Sequence, residues 1–105
     1  MIVRLTFCKF QPDRIVEAKK TYNEEVIPTI KKQKGNIGVR LLEPTDKADD
    51  YISVTEWKTQ TDADAYHTSG VYKNLVNRLK DFFVKQPELK VYTTQEILEP
   101  SSHLL

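Results

Sequence analysis

Apolar and polar side chains alternate over residues 2–10, with Val3, Leu5 and Phe7 set against Arg4, Thr6 and Cys8. A period of two is the signature of a strand with one apolar face and one mixed face. Gln11-Pro12-Asp13 breaks the pattern, and Asp13 stands where an N-cap belongs. Beyond it the period lengthens. Ile15, Ala18, Tyr22, Val26 and Ile30 recur at spacings of three and four, which predicts a helix over 13–33 with a single apolar stripe. Glu17, Lys20, Glu24 and Lys31 mostly fall outside that stripe. Pro28 lies inside the pattern and, lacking an N–H, predicts a bend or interruption. Gly35 is placed to stop the helix.

Residues 36–43 form a second predicted strand, with Ile37, Val39 and Leu41 on one side. A polar turn over 44–50 joins it to a third strand, 51–57, which is rich in aromatic and β-branched types; together they read as a hairpin. Thr61-Asp62-Ala63-Asp64 has the form of a variant capping box, opening a short helix to about Thr68. Ser69-Gly70 interrupts the helix. A second helical stripe follows in Tyr72, Leu75, Val76, Leu79, Phe82 and Phe83, closed by Pro87. Residues 89–94 are the last strand. The order is βαββαβ, which predicts an α+β, ferredoxin-like domain over 1–95: an antiparallel sheet with its helices on one face. Residues 96–105 have no period and read as an arm or a loose tail.

Helices on one face leave the other uncovered. Val3, Leu5, Phe7, Ile52 and Val54 make one apolar set; the other set is taken as Tyr51, Trp57, Leu42 and Tyr92, with Cys8 and several threonines. Neither is a charged surface, and the pattern leaves open which of them meets the helices. Either way, an apolar face without cover calls for a partner, and two-fold pairing of sheets, a homodimer, is the simplest closure. Charge adds an exclusion. The 105 residues carry 16 basic and 15 acidic side chains with no basic stripe, so no nucleic-acid partner is expected. No apolar run approaches a membrane span, and the first residues lack a signal peptide's apolar stretch. One cysteine, Cys8, precludes an internal disulfide; a cytoplasmic location is the expectation.

The chain has no phosphate-binding glycine loop, no HExxH and no CxxC. His67 and His103 are the only imidazoles, which argues against a histidine-based metal site. Cys8 and His67 together could make a nucleophile and base, but a buried structural cysteine is the favoured reading. A better candidate is an aromatic group. Trp57 ends the third strand, and Tyr66, His67 and Tyr72 follow on the helical segments. Aromatics with polar handles can clamp a flat ligand, and a histidine can move protons near neutral pH. The alternative for Trp57 and Tyr72 is core or interface packing, and for His67 a capping or surface role. Arg40, Lys9 and Arg4 could bind an anion, against the default of solvated strand charges.

Several of these segments together resemble the antibiotic biosynthesis monooxygenase (ABM) domain. They are Glu56-Trp57-Lys58-Thr59, Ala65-Tyr66-His67-Thr68-Ser69 and Val71-Tyr72-Lys73, with Tyr22 to Pro28 and Lys34-Gly35-Asn36-Ile37-Gly38 before them. The resemblance covers about residues 1–95. It implies a dimeric α+β barrel with a pocket between helices and sheet in each protomer. Some relatives oxidise aromatic polyketides or quinols with dioxygen and no metal or flavin; others degrade haem. The haem-degrading branch uses an asparagine, a tryptophan and an iron-ligating histidine at positions that fall here on Cys8, Tyr66 and Val76. All three differ, and valine cannot ligate iron, so no haem or other cofactor is expected.

The resulting expectation is a cofactor-independent monooxygenase acting on a small electron-rich aromatic or quinol. Trp57 and Tyr72 would pack the ring, His67 would handle the proton, and Tyr66 or Arg40 would orient the substrate. The alternatives are a non-catalytic small-molecule-binding or stress-response dimer with the same pocket, and a purely structural dimer. An acid–base residue facing an open cleft favours the enzyme. A cleft filled by its own side chains favours the structural dimer.

Overall fold

Along β1 (Ile2–Cys8) the even-numbered residues are buried and the odd-numbered ones half-buried. The structure, a computed structural model, describes residues 1–95; the predicted arm at 96–105 lies outside the described residues. β1 is a central strand. It pairs antiparallel with β3 (Tyr51–Trp57) on one side and β4 (Glu88–Thr93) on the other, and β2 (Asn36–Leu42) pairs antiparallel with β3. The sheet order is β2-β3-β1-β4, as a ferredoxin-like domain requires.

Register settles the question of faces. Directly paired residues point to the same side, so Arg4, Thr6 and Cys8 share a face with Thr55, Ser53 and Tyr51. This mixed face meets the helices: Cys8, Tyr51 and Trp57 join one core with Ala18, Tyr22, Val26, Ile30, Ala63, Tyr66 and Leu79. Val3, Leu5 and Phe7 therefore lie on the uncovered side, with Val54 and Ile52 opposite. Leu42 and Tyr92 belong there too, since Leu42 pairs with Ile52 and Tyr92 with Val3; their grouping with Trp57 is corrected. A bulge between Asn36 and Gly38 breaks the alternation of β2 and leaves Ile37 half exposed, not beside Val39.

The predicted first helix is real but composite. A 3₁₀ turn, Pro12–Arg14, replaces the expected cap at Asp13; then come α1 (Ile15–Thr21), a π-helical turn (Tyr22–Val26) and α2 (Ile27–Lys31). Pro28, which cannot donate back into the preceding turn, sits in the first turn of α2. The wide turn before it is closed by the Ile27 N–H donating to the Tyr22 carbonyl. Helix α3 (Gln60–Thr68) starts earlier than the predicted box: Thr59 is its cap, extended, with its hydroxyl accepting from the Asp62 N–H at 3.1 Å. Gly70, at φ 90°, turns the chain into α4 (Val71–Leu79). A 3₁₀ turn, Lys80–Phe82, ends the helical stripe, and Phe83 is already extended, bridging to Phe10. Among the described residues no helix is long and apolar enough to cross a membrane.

Candidate functional site

Because Arg4, Thr6, Cys8 and Phe10 fall on the helix-facing side of the chain, they floor a cavity of ≈ 40 Å³ between sheet and helices. Its walls are apolar: Val26 and Ile30 from the first helix, Leu75, Val76 and Leu79 from α4, and Leu41 from β2. Phe10 and Phe83, stacked 5.7 Å apart, form one end. Arg4, Thr6, Tyr66 and Tyr72 are the polar members of the lining at the other.

Arg4 is a charged side chain only 5 % exposed. Its Nη2 donates to His67 Nδ1 at 2.9 Å. Its guanidinium lies 4.9 Å from the centre of the Tyr72 ring and 5.4 Å from that of Tyr66, and ring faces attract cations. Burial lowers its pKa, opposed by Tyr66, Tyr72 and Asp64; an arginine stays protonated regardless. It forms no salt bridge with a carboxylate among the described residues.

An arginine can only donate, so Nδ1 of His67 must be the acceptor, and the proton of the neutral ring is on Nε2. The ring stacks on Tyr72 at 5.3 Å. His67 is exposed and stands outside the cavity lining, behind Arg4. Tyr66 and Tyr72 do line the cavity, edge to face at 6.1 Å, and the Tyr72 hydroxyl is 3.4 Å from Thr6 Oγ1. Burial pushes the Tyr66 phenol well above its usual range. Trp57 is fully buried and does not reach the cavity. It stacks behind Tyr66 at 4.7 Å, with its Nε1–H donated to Thr55 Oγ1. Arg40 is not brought to the site. Its side chain is 67 % exposed, lies on the opposite face of the sheet and pairs with Glu56 at 3.7 Å. Only the Arg40 carbonyl faces the interior, accepting from the Tyr22 hydroxyl at 3.2 Å. Lys9 is spent on the carbonyls of Lys47 and Ala48.

Three further residues complete the cavity. Tyr22, carried by the π-helical turn, shares a 2.7 Å hydrogen bond with Ser53 Oγ, and wide turns of this kind often occur at functional sites. Burial pushes Tyr22 up to about 12 and Cys8 likewise to about 12. Cys8 is therefore a protonated, inert thiol at neutral pH. Its Sγ is directed at the Thr6 carbonyl, while His67 is engaged by Arg4, so the two do not form a nucleophile–base pair. Over the helices, Glu25 and Arg78 make a two-pronged ion pair at 2.8 and 2.9 Å that ties the π turn to α4.

The cavity does not suit haem. Cys8, Tyr66 and Val76, the positions matched to the haem-degrading branch, all line it, but Val76 offers no ligand atom, and ≈ 40 Å³ is far below a porphyrin's volume. Among the described residues no group of three or more His, Cys, Asp or Glu could hold a metal ion.

The sequence profile described as "Antibiotic biosynthesis monooxygenase" matches residues 1–78. No curated protein matches the chain. Among solved structures, the fold is similar to a putative antibiotic biosynthesis monooxygenase from Nitrosomonas europaea, at 18 % identity and a TM-score of 0.74, covering 91 % of this chain and 100 % of that one. It is also similar to SnoaB, described as a cofactor-independent oxygenase from Streptomyces nogalater, at 14 % identity and a TM-score of 0.75, covering 95 % and 97 %. MhuD, solved with manganese protoporphyrin IX, matches at 14 % identity and a TM-score of 0.75, covering 94 % and 99 %.

Proposed function

The chain belongs to the antibiotic biosynthesis monooxygenase family, and on that premise we propose that it oxidises a small electron-rich aromatic or quinol with dioxygen, without metal, flavin or haem. The observation that carries this reading is the buried Arg4 guanidinium, flanked by two tyrosine rings at one end of an apolar cavity. An anthrone or quinol becomes reactive toward oxygen once it is an anion. For an anthrone, the methylene carbon becomes a carbonyl, with one oxygen atom entering and the other leaving as water. The protein's part is then to hold the ring, favour the anion and remove the proton. Tyr72 and Tyr66 pack the ring, and Trp57 acts through Tyr66, which it backs. Arg4 takes the orienting role expected of Arg40. His67 carries the proton: when an Arg4 N–H turns from Nδ1 to the substrate oxygen, that lone pair is freed beside it. The working unit is a homodimer formed through the Val3, Leu5, Phe7, Ile52 and Val54 face, and the free thiol of Cys8 suits the cytoplasm.

One observation favours a different reading, the purely structural dimer whose cleft is filled by its own side chains. A cavity of ≈ 40 Å³ holds a few waters, whereas an engineered cavity that admits benzene is about 150 Å³. A ring enters only if the helices move. Oxygen uptake with a panel of quinols and anthrones, before and after chelator treatment, decides between the two. Enzymatic uptake insensitive to EDTA is expected, with His67→Ala lowering turnover by about 10²–10⁴ and binding far less. Uptake abolished by chelator and restored by metal would overturn the cofactor-free route. No uptake with any member of the panel would leave a non-catalytic dimer.

A further inference from the structure

We infer that the Arg4 end of the cavity is an oxyanion-binding site, selecting a ligand that carries a carboxylate or an ionised enol on a slim apolar body. The inference rests on the reading that this cavity receives the substrate, and it adds the substrate's charge.

Four observations lead there. First, a buried cation is costly unless matched by an anion, and Arg4 makes no salt bridge among the described residues: a histidine lone pair and two ring faces touch it, and the Asp64 carboxylate acts on it only from beyond contact. Second, its donors are not exhausted. A guanidinium has five N–H groups in a planar fork, and one hydrogen bond, to His67, is made. No fully buried side-chain nitrogen or oxygen among the described residues lacks a partner, so Nε and Nη1, which make no hydrogen bond, are not sealed off, and Arg4 lines the cavity. Third, the Tyr66 hydroxyl is in the same position: it has no protein hydrogen bond among the described residues, yet it is not sealed off. Burial holds it neutral, as a donor. Two groups with donors to spare thus occur in one lining.

Fourth, the rest of the lining fixes the body of the ligand. From Arg4 the lining runs along aliphatic walls to a closing pair of phenylalanines, Phe10 and Phe83. The cavity as it stands holds a few waters, so a slim apolar body enters only as the helices part, and a planar two-oxygen head then fits a guanidinium fork. A cationic ligand would meet Arg4 as a like charge.

The test uses matched ligand pairs and the full chain. 2-Hydroxy-1,4-naphthoquinone, an enolate at neutral pH, is compared with neutral 1,4-naphthoquinone, and 2-naphthoate with 2-naphthamide, by calorimetric titration at low salt. At least one anion should bind roughly tenfold or more tighter than its neutral partner, and which pair shows the larger ratio tells enolate from carboxylate. Arg4→Gln should erase the preference while leaving the neutral ligands' affinity within about threefold. Tyr66→Phe keeps the ring stacked on Trp57 and removes only the hydroxyl; it should cut the preference severalfold, which covers the case that Arg4→Gln fails to fold. Equal affinities within each pair, no binding of any of the four, or a preference that survives both substitutions overturns the inference. Oxygen uptake is scored separately. Tight, Arg4-dependent anion binding without uptake sinks the oxygenase reading and leaves the anion site standing; uptake on neutral and anionic substrates alike does the reverse.

Discussion

Cys8, on the cavity floor, and Tyr22, from the helical side, both line the cavity, and burial keeps both protonated to a higher pH than usual. Their folded values near 12 lie above the ordinary 9.0 for a thiol and 10.0 for a phenol. The unfolded chain thus releases these protons first. The stability they represent is complete below the ordinary values and is lost as pH rises toward about 12. Urea midpoints should fall from about pH 9 upward, with Cys8→Ala flattening the early part of the decline and Tyr22→Phe the later part. A wild-type midpoint that is level to pH 11, or a slope unchanged in the double variant, would defeat this. Tyr22→Phe should also cost about 0.5–1.5 kcal/mol at neutral pH for its hydrogen bond to Ser53. At this scale the sequence was legible in kind more than in role. Tyr66 and Tyr72 could be picked as ligand-facing because aromatics near a histidine after a strand are suggestive, and both do line the cavity. Trp57 could not be told from core packing, since the same residue type serves both. Arg40 and Arg4 look alike as strand arginines; only the register, which puts Arg40 on the far face, separates them.

Elements were legible wherever one period dominates, and their ends were not, because ends depend on contacts distant in sequence. The π-helical turn is an example: Pro28 signals an interruption, but the distortion is accommodated upstream, at Tyr22–Val26, where it delivers Tyr22 and Val26 to the cavity. Gly35 is another. The helix already ends at Lys31, with Lys32 as its C-cap, so Gly35 does not stop it; at a left-handed φ of 80° it turns the chain into β2. Beyond that, its carbonyl accepts from the Lys58 N–H at 2.9 Å, and a Cβ added to it would run into the side chain of Asp62 at the start of α3. Gly70 has a similar φ of 90° but open space around it. The two glycines therefore separate strain from collision. Gly70→Ala should cost about 1–2 kcal/mol, the left-handed penalty alone. Gly35→Ala should cost clearly more, because Asp62 and the first turn of α3 must also shift. Urea unfolding of the two variants measures the difference. If Gly35→Ala is no worse than Gly70→Ala, the junction between α2 and α3 is looser than this packing requires.

At the scale of the whole molecule, the decisive feature is the uncovered side of the sheet. The sequence showed that an apolar face would be left over but not which one, since both sets carry large side chains. Register assigns Val3, Leu5, Phe7 and Ile52 to that side, joined by Leu42 at 44 % and Tyr92 at 54 % exposure. The charged residues on it are Arg40, Lys90 and Glu88 on the two edge strands and Glu56 on β3 opposite Val3; Arg40 pairs with Glu56, and Lys90 lies over the Phe7 ring. A mostly apolar face whose charges lie chiefly on its edge strands has the composition of a protein interface, and a small domain gains from covering it. Light scattering after size exclusion at micromolar concentration should give twice the protomer mass. Phe7→Asp removes a ring from each half of the interface and buries a carboxylate there, whose desolvation Lys90 offsets only in part, and should yield a monomer. Val16→Asp on α1, at a position 82 % exposed and on the other side of the molecule, should leave the dimer intact. Thr55→Asp tests the converse assignment. Thr55 is buried under the helices, where its hydroxyl accepts from Trp57, so a carboxylate there should unfold the protomer instead of splitting a dimer. A wild-type monomer, or a Phe7→Asp protein that remains dimeric, would mean that the Val3 face is not where two copies meet.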